Sequence, residues 1–337
     1  MSLELGTKRH ASIAGGGGAL DAAFVHCEEV TRRRARNFYY GLKLTPPPRR
    51  QAMYAVYAWM READDLADAA GLGDAERRAR IERLRERIEI LFGETERDGP
   101  GRGRGAASPT LDDPVWLAMS HVVSRYRLSA EPFHAMLDGQ LEDIGHREYH
   151  TFEELRGFCY RVASTVGLIS IAIWGHEDPK ARELAIDRGI AFQLTNILRD
   201  FREDLDRGRV YLPLEDFERH GLDAARLSRW EDPGRCRAFV AEQAARVESF
   251  YRRSAALDEM ITPSCRPTLW AMTTIYHGLL QKIAQDPSRV AGPKRIRLSS
   301  LAKVIIAFRA RRLAASAAED HAPRAAIAVA DTPPGAP

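Results

Sequence analysis

QLTNILRDFREDLDRGRVYLP, residues 193–213, holds two incompatible patterns on one helix. Gln193, Asn196, Asp200 and Asp204 are spaced three, four and four, which on an α-helix gathers them into an arc of roughly 80°. Between them stand Leu194, Ile197, Leu198 and Phe201, and just before them GIAF, all core types. A buried carboxylate is costly unless paired, and two on one face repel. Two amides and two carboxylates inside an otherwise apolar helix therefore need a reason.

Working outward, the same design occurs earlier, in YAVYAWMREADDLAD, residues 54–68. There Tyr57, Arg61, Asp64 and Asp68 fall within about 60° of one another. Two helices thus each carry a DxxxD pair at the end of an apolar segment, with polar partners upstream. Facing each other, they would be destabilising alone, and divalent cations resolve the conflict. Mg²⁺ takes one or two carboxylates per ion and keeps its other positions for water and phosphate oxygens. Asn196 adds a neutral oxygen, and Gln193 is better placed for an anionic group or a water. The competing reading is a solvated acidic face paired with Arg61, Arg199, Arg202 and Arg207. The repetition of the pattern, and the apolar sequence around Tyr57, Gln193 and Asn196, argue against it.

The rest of the chain is helical in pattern. Residues 49–69, 74–93, 112–127, 131–146, 151–174, 179–207, 235–260, 263–285 and 298–314 are predicted helices. Starts are marked by Asp112-Asp113-Pro114, Ser129-Ala130-Glu131-Pro132, Asp178-Pro179 and a capping box of Thr151 with Glu154. No run alternates as a strand would. The expectation is one all-α domain over 23–313, with a disordered Gly-rich segment at 1–22, a loop at 96–110 and an Ala/Pro-rich disordered tail at 314–337. Net charge is +3, which demands no nucleic acid. Cys27, Cys159, Cys236 and Cys265 form no CxxC or Cys/His cluster and suit free thiols in a reducing cytoplasm. No signal peptide is apparent in the polar first 20 residues, and VGLISIAIWG (166–175) is too short to span a bilayer. The chain is expected to be cytoplasmic.

The segments NFYYGLKLTPPPRRQAMYAVYAWMREADDLAD, FCYRVASTVGL and QLTNILRDFREDLDRGRVYLP resemble the squalene/phytoene synthase family, the head-to-head prenyl diphosphate synthases, in content, order and separation. The resemblance runs from about residue 24 to 310. It implies a single isoprenoid-synthase helical domain with a central apolar cavity, prenyl diphosphate substrates and bound Mg²⁺. Asp64, Asp68, Asn196, Asp200 and Asp204 correspond to the metal-binding motifs. Tyr57, Arg61 and Tyr160 correspond to catalytic positions. Arg36, Asn37, Phe38, Gln193, Arg199, Arg209 and Tyr276 correspond to substrate-site positions. RARN (34–37) stands where some members have a polar His-Ser-x-Ser stretch.

The implied chemistry ionises one diphosphate to an allylic cation, which a second prenyl diphosphate attacks head-to-head. Two farnesyl chains lead to presqualene diphosphate and squalene, with NADPH as hydride donor if squalene is the final product. Two geranylgeranyl chains lead to phytoene. The segment 37–61 leans toward enzymes that form presqualene diphosphate. Rival readings are a non-catalytic assembly factor of the same fold, disfavoured by the intact Asp motifs, and a head-to-tail prenyltransferase or terpene cyclase, disfavoured by FCYRVASTVG and RGRVYLP. Two further features stand apart. Asp138, Glu142 and Asp143 have helical spacing, but pairing with arginines such as Arg147 outweighs a third metal cluster. Residues 289–314 form a basic amphipathic stretch, suited either to the last core helix or to peripheral contact with the inner face of a membrane, where Arg295 and Arg297 could alternatively reach a diphosphate.

Overall fold

The structure is a computed structural model that describes residues 16–35, 37–69, 71–98, 113–145 and 147–319. In chain order its helices are α1 (Gly16–Arg34), α2 (Asn37–Leu42), α3 (Arg49–Ala67), α4 (Asp74–Asp98), α5 (Pro114–Tyr126), α6 (Glu131–Ile144), α7 (Phe152–Cys159), α8 (Thr165–Trp174), α9 (Ala181–Asp206), α10 (Leu214–His220), α11 (Ala224–Arg229), α12 (Pro233–Arg253), α13 (Leu257–Met260), α14 (Arg266–Gln285) and α15 (Ser300–Glu319). Among the described residues there is no strand, only a lone bridge between His176 and Ile261. The all-α expectation holds.

Local chemistry starts several helices where the sequence indicates. Asp113 accepts a hydrogen bond from the Val115 amide at 2.8 Å, with Pro114 beginning α5. Thr151 and Glu154 form the predicted capping box of α7. Three expectations are corrected. The Gly-rich run does not remain outside the fold: α1 begins at Gly16, so residues 16–22 are helical. Packing outweighs glycine's poor propensity here, because Ala23, Cys27 and Thr31 are fully buried and Thr31 donates to the Cys27 carbonyl at 2.7 Å. Residues 314–319 extend α15 rather than fraying; residues 1–15, 320–337 and most of the loop at 96–110 lie outside the described residues. The helix expected at 151–174 is interrupted by a π-helical turn, Tyr160–Ser164, between α7 and α8.

Buried apolar side chains form two main clusters. One fills the space among α1, α3, α5, α6 and α8 around Trp59, Trp116 and Phe133. The other surrounds α9, α12 and α14 with Leu198, Phe201, Phe239 and Leu280. Helix α9 belongs to both, giving Ala181, Leu184 and Ala185 to the first and Ile190 through Phe201 to the second. It presses against the π turn at Gly189, where a Cβ would lie 2.5 Å from the Ser164 Cα. Past its end, Gly208 takes a φ of +78°, a conformation that favours glycine, and turns the chain back toward α3.

Candidate active site

The turn at Gly208 brings Arg209 within 3.5 Å of Asp68. The C-terminal ends of α3 and α9 therefore meet across a cleft of about 410 Å³, walled on a third side by α6. Asp64, Asp68, Asn196, Asp200 and Asp204 all line it, as do Gln193 and Arg199. The two stripes read from the sequence are brought together. The apolar part of the lining is Met60, Met136, Phe158, Val162 and Ile197.

The four aspartates are not electrostatically equivalent. Burial raises the pKa of Asp200, but bidentate bonds from Arg199 (2.8 and 2.5 Å) and Arg295 (2.7 Å twice) outweigh it and hold the carboxyl below its ordinary range. Burial pushes Asp64 up to about 6, despite Arg61 and a 2.8 Å bond from the Gln140 amide. Burial, then the charge of Asp200, pushes Asp204 up to about 6 as well. The Asn196 Oδ1 is buried with no hydrogen-bond partner. The cleft thus presents one under-compensated carboxylate from each of two walls, Asp64 on α3 and Asp204 on α9, with the orphaned neutral oxygen of Asn196 on α9, a donor set that fits a hard divalent cation. Among the described residues no three His, Cys, Asp or Glu side chains stand close enough together to hold a metal ion by themselves. An ion held here would need water and phosphate oxygens to complete its shell, as Mg²⁺ does.

Other expected residues are placed less directly. Arg61 bonds to Asp65 and stands 3.5 Å from Asp64. Tyr57 is half-buried, and burial, opposed by the charge of Arg61 and helped by that of Asp64, raises its hydroxyl pKa. Tyr276 stacks on Phe192 at 4.6 Å and, with Arg199, lines an adjoining pocket of about 340 Å³ that also holds Arg34, Arg295, Arg297 and Lys303. Tyr160 is not brought to the acidic cleft. Its hydroxyl donates to Glu131 at 2.8 Å, at the opposite end of α6 from Gln140, roughly 13 Å along the helix axis. From that segment, Phe158 and Val162 reach the cleft instead. Arg36 and the side chains of Asn37 and Phe38 lie outside the described residues.

Sequence reasoning missed the contribution of α6 and of Tyr211. Gln140 bonds Asp64, and Asp143 accepts from the Tyr211 hydroxyl at 2.6 Å and pairs with Arg209 at 3.2 Å. The signal was present, since Met136, Gln140 and Asp143 share one helical face. The other two acids of that group are paired away: Asp138 with Arg85 at 2.6 Å, Glu142 with Arg161 and Arg147. Arg295 serves as a partner of Asp200.

A family model described as Squalene/phytoene synthase matches residues 31–302. A phytoene synthase of Arthrospira platensis is 33% identical over 273 residues, covering 77% of this chain and 83% of the relative. A 15-cis-phytoene synthase of Synechococcus elongatus is 33% identical over 280 residues, covering 80% and 86%. Among solved structures, a dehydrosqualene synthase bound to a ligand aligns with a TM-score of 0.72 and 28% identity, covering 89% of this chain and 99% of that one.

Proposed function

The chain belongs to the squalene/phytoene synthase family of head-to-head prenyltransferases, and from that premise we propose that it joins two geranylgeranyl diphosphates into phytoene. The observation that carries the chemistry is the cleft in which Asp64, Asp68, Asp200 and Asp204 face one another around the unpartnered Asn196 oxygen. The relatives named phytoene synthase favour the C20 substrate over the C15 lean drawn from residues 37–61. Phytoene forms by loss of protons and needs no hydride donor, so NADPH has no part in this reading.

The family depends on divalent metal. Bound by Asp64, Asp68, Asn196, Asp200 and Asp204, Mg²⁺ would supply charge against the diphosphate oxygens and so favour departure of the leaving group. The protein's own residues do the rest. Arg199, already on Asp200, lies at the junction of the acidic cleft and the adjoining pocket, where its charge and that of Arg295 can hold a diphosphate. The apolar lining of Met60, Met136, Phe158, Val162 and Ile197 excludes water that would quench an allylic cation. The ring of Phe158 can face positive charge there. Overall, two allylic diphosphates give one C40 hydrocarbon, two diphosphates and protons.

The test is incubation with C15 or C20 prenyl diphosphate and Mg²⁺, with and without NADPH, and identification of the hydrocarbon. Phytoene from the C20 substrate without NADPH is the expected result. Squalene from the C15 substrate with NADPH, and no C40 product, would overturn it. The likeness to a dehydrosqualene synthase structure makes the C15 arm the informative comparison.

A further inference from the structure

Seven large apolar side chains of the described residues are exposed, and five of them, Leu301, Val304, Ile305, Phe308 and Leu313, lie on α15. At 100° per residue, Leu301, Val304, Ile305 and Phe308 form a stripe about 100° wide. Ile306 and Ala310, which pack against Ala271 of α14, lie on the opposite side. The helix thus docks by a narrow inner face and displays its bulkier one to solvent, the reverse of a helix that ends a soluble core. Arg309 and Arg311 flank the stripe and Arg312 continues it, all three exposed.

We propose that the outer face of α15 lies flat on an anionic lipid surface. Charge argues for this occupant. From Arg289 to Arg312 the chain carries eight basic residues, and no acidic one stands between Asp286 and Glu319. A second copy of this face would bring like charges together, whereas anionic headgroups complement the arginines while acyl chains take up the stripe. The inner side of the same segment, through Leu298 and Lys303, borders the 340 Å³ pocket that holds Arg199 and Tyr276. Under the function proposed above, substrates with long prenyl tails and a hydrocarbon product would pass between bilayer and pocket without crossing water. The docking itself does not rest on that reading.

The full chain is tested by co-sedimentation with phosphatidylglycerol/phosphatidylcholine vesicles and with pure phosphatidylcholine vesicles, at low and high salt. Expected are binding to the anionic vesicles at low salt, a clear loss at high salt, and at least tenfold weaker binding for Val304→Asp/Phe308→Asp and for Arg309→Glu/Arg311→Glu. Because these side chains are exposed, both variants should keep the circular dichroism and melting temperature of the parent. Leu301→Asp serves if the first pair unfolds. The proposal is overturned by absence of binding, by salt-insensitive binding to neutral vesicles, or by folded variants that bind as well as the parent. It is equally overturned if light scattering shows a dimer that Val304→Asp/Phe308→Asp splits while vesicles capture nothing, or if binding appears only after residues 320–337 are removed.

Discussion

At the scale of single residues, the cleft separates aspartates by what compensates them. Asp200 is held ionised by two guanidinium groups, while Asp64 and Asp204 are not fully compensated. Replacing Asp64 or Asp200 by Asn is expected to lower the turnover rate at least about 100-fold, the scale of losing a charge that anchors the leaving group. Far-ultraviolet circular dichroism should be unchanged. The pH dependence follows from the raised pair. A carboxyl with a folded pKa near 6 and an ordinary value of 3.8 holds its proton more tightly when folded. Its contribution to stability is therefore present at low pH and lost as pH rises through about 6. Cation binding needs the opposite state, so affinity for Mg²⁺ or Mn²⁺ should weaken as pH falls from 7.5 through about 6, as read by calorimetric titration. Asp64→Asn should flatten part of that dependence. Affinity that stays constant down to about pH 5 would contradict the assignment.

At the scale of elements, the close approach of α9 to the π turn sets where one cleft wall stands. Gly189→Ala would place a Cβ 2.5 Å from the Ser164 Cα and 2.8 Å from its amide nitrogen, both backbone atoms that cannot turn aside. A loss of about 1–3 kcal/mol in urea unfolding is expected, with activity falling further because α9 carries Gln193, Asn196, Asp200 and Asp204. The π turn yields a contrasting prediction. Burial, then the bond to Glu131, pushes the Tyr160 hydroxyl up to about 12. Away from the acidic cleft, Tyr160→Phe should change turnover less than tenfold and cost about 1 kcal/mol of stability at most. Phe158→Ala, which opens the cleft lining, should reduce activity more.

At the scale of the whole molecule, α9 joins both core clusters and the cleft lies where its end meets that of α3. A ligand that ties the two stripes together binds the folded state alone, so it should raise the melting temperature by mass action. Mg²⁺ with inorganic pyrophosphate is expected to raise it by several degrees, more than either alone, in a thermal scan at pH 7.5. EDTA should remove the effect and the activity while leaving the helical signal in place. Asp200→Asn should abolish the synergy.

The helical class, the places where helices α5 and α7 begin and the two acidic stripes were legible because they rest on short-range rules: side-chain periodicity, capping and the cost of carboxylates on one face. Family resemblance then supplied the expectation that the stripes face each other. What only the tertiary structure decided depends on contacts between distant segments. Arg295 on Asp200, Gln140 on Asp64 and the pairing of Asp143 with Tyr211 and Arg209 join residues 66 to 95 positions apart, and no local pattern reports such pairing. The helicity of residues 16–22 was hidden for the same reason: they extend a helix whose later residues, Ala23, Cys27 and Thr31, are buried in the core. The place of Tyr160 was carried over from the resemblance alone, and the structure instead sets it at the start of a π turn and bonds it to Glu131, 29 positions away, which no local pattern encodes.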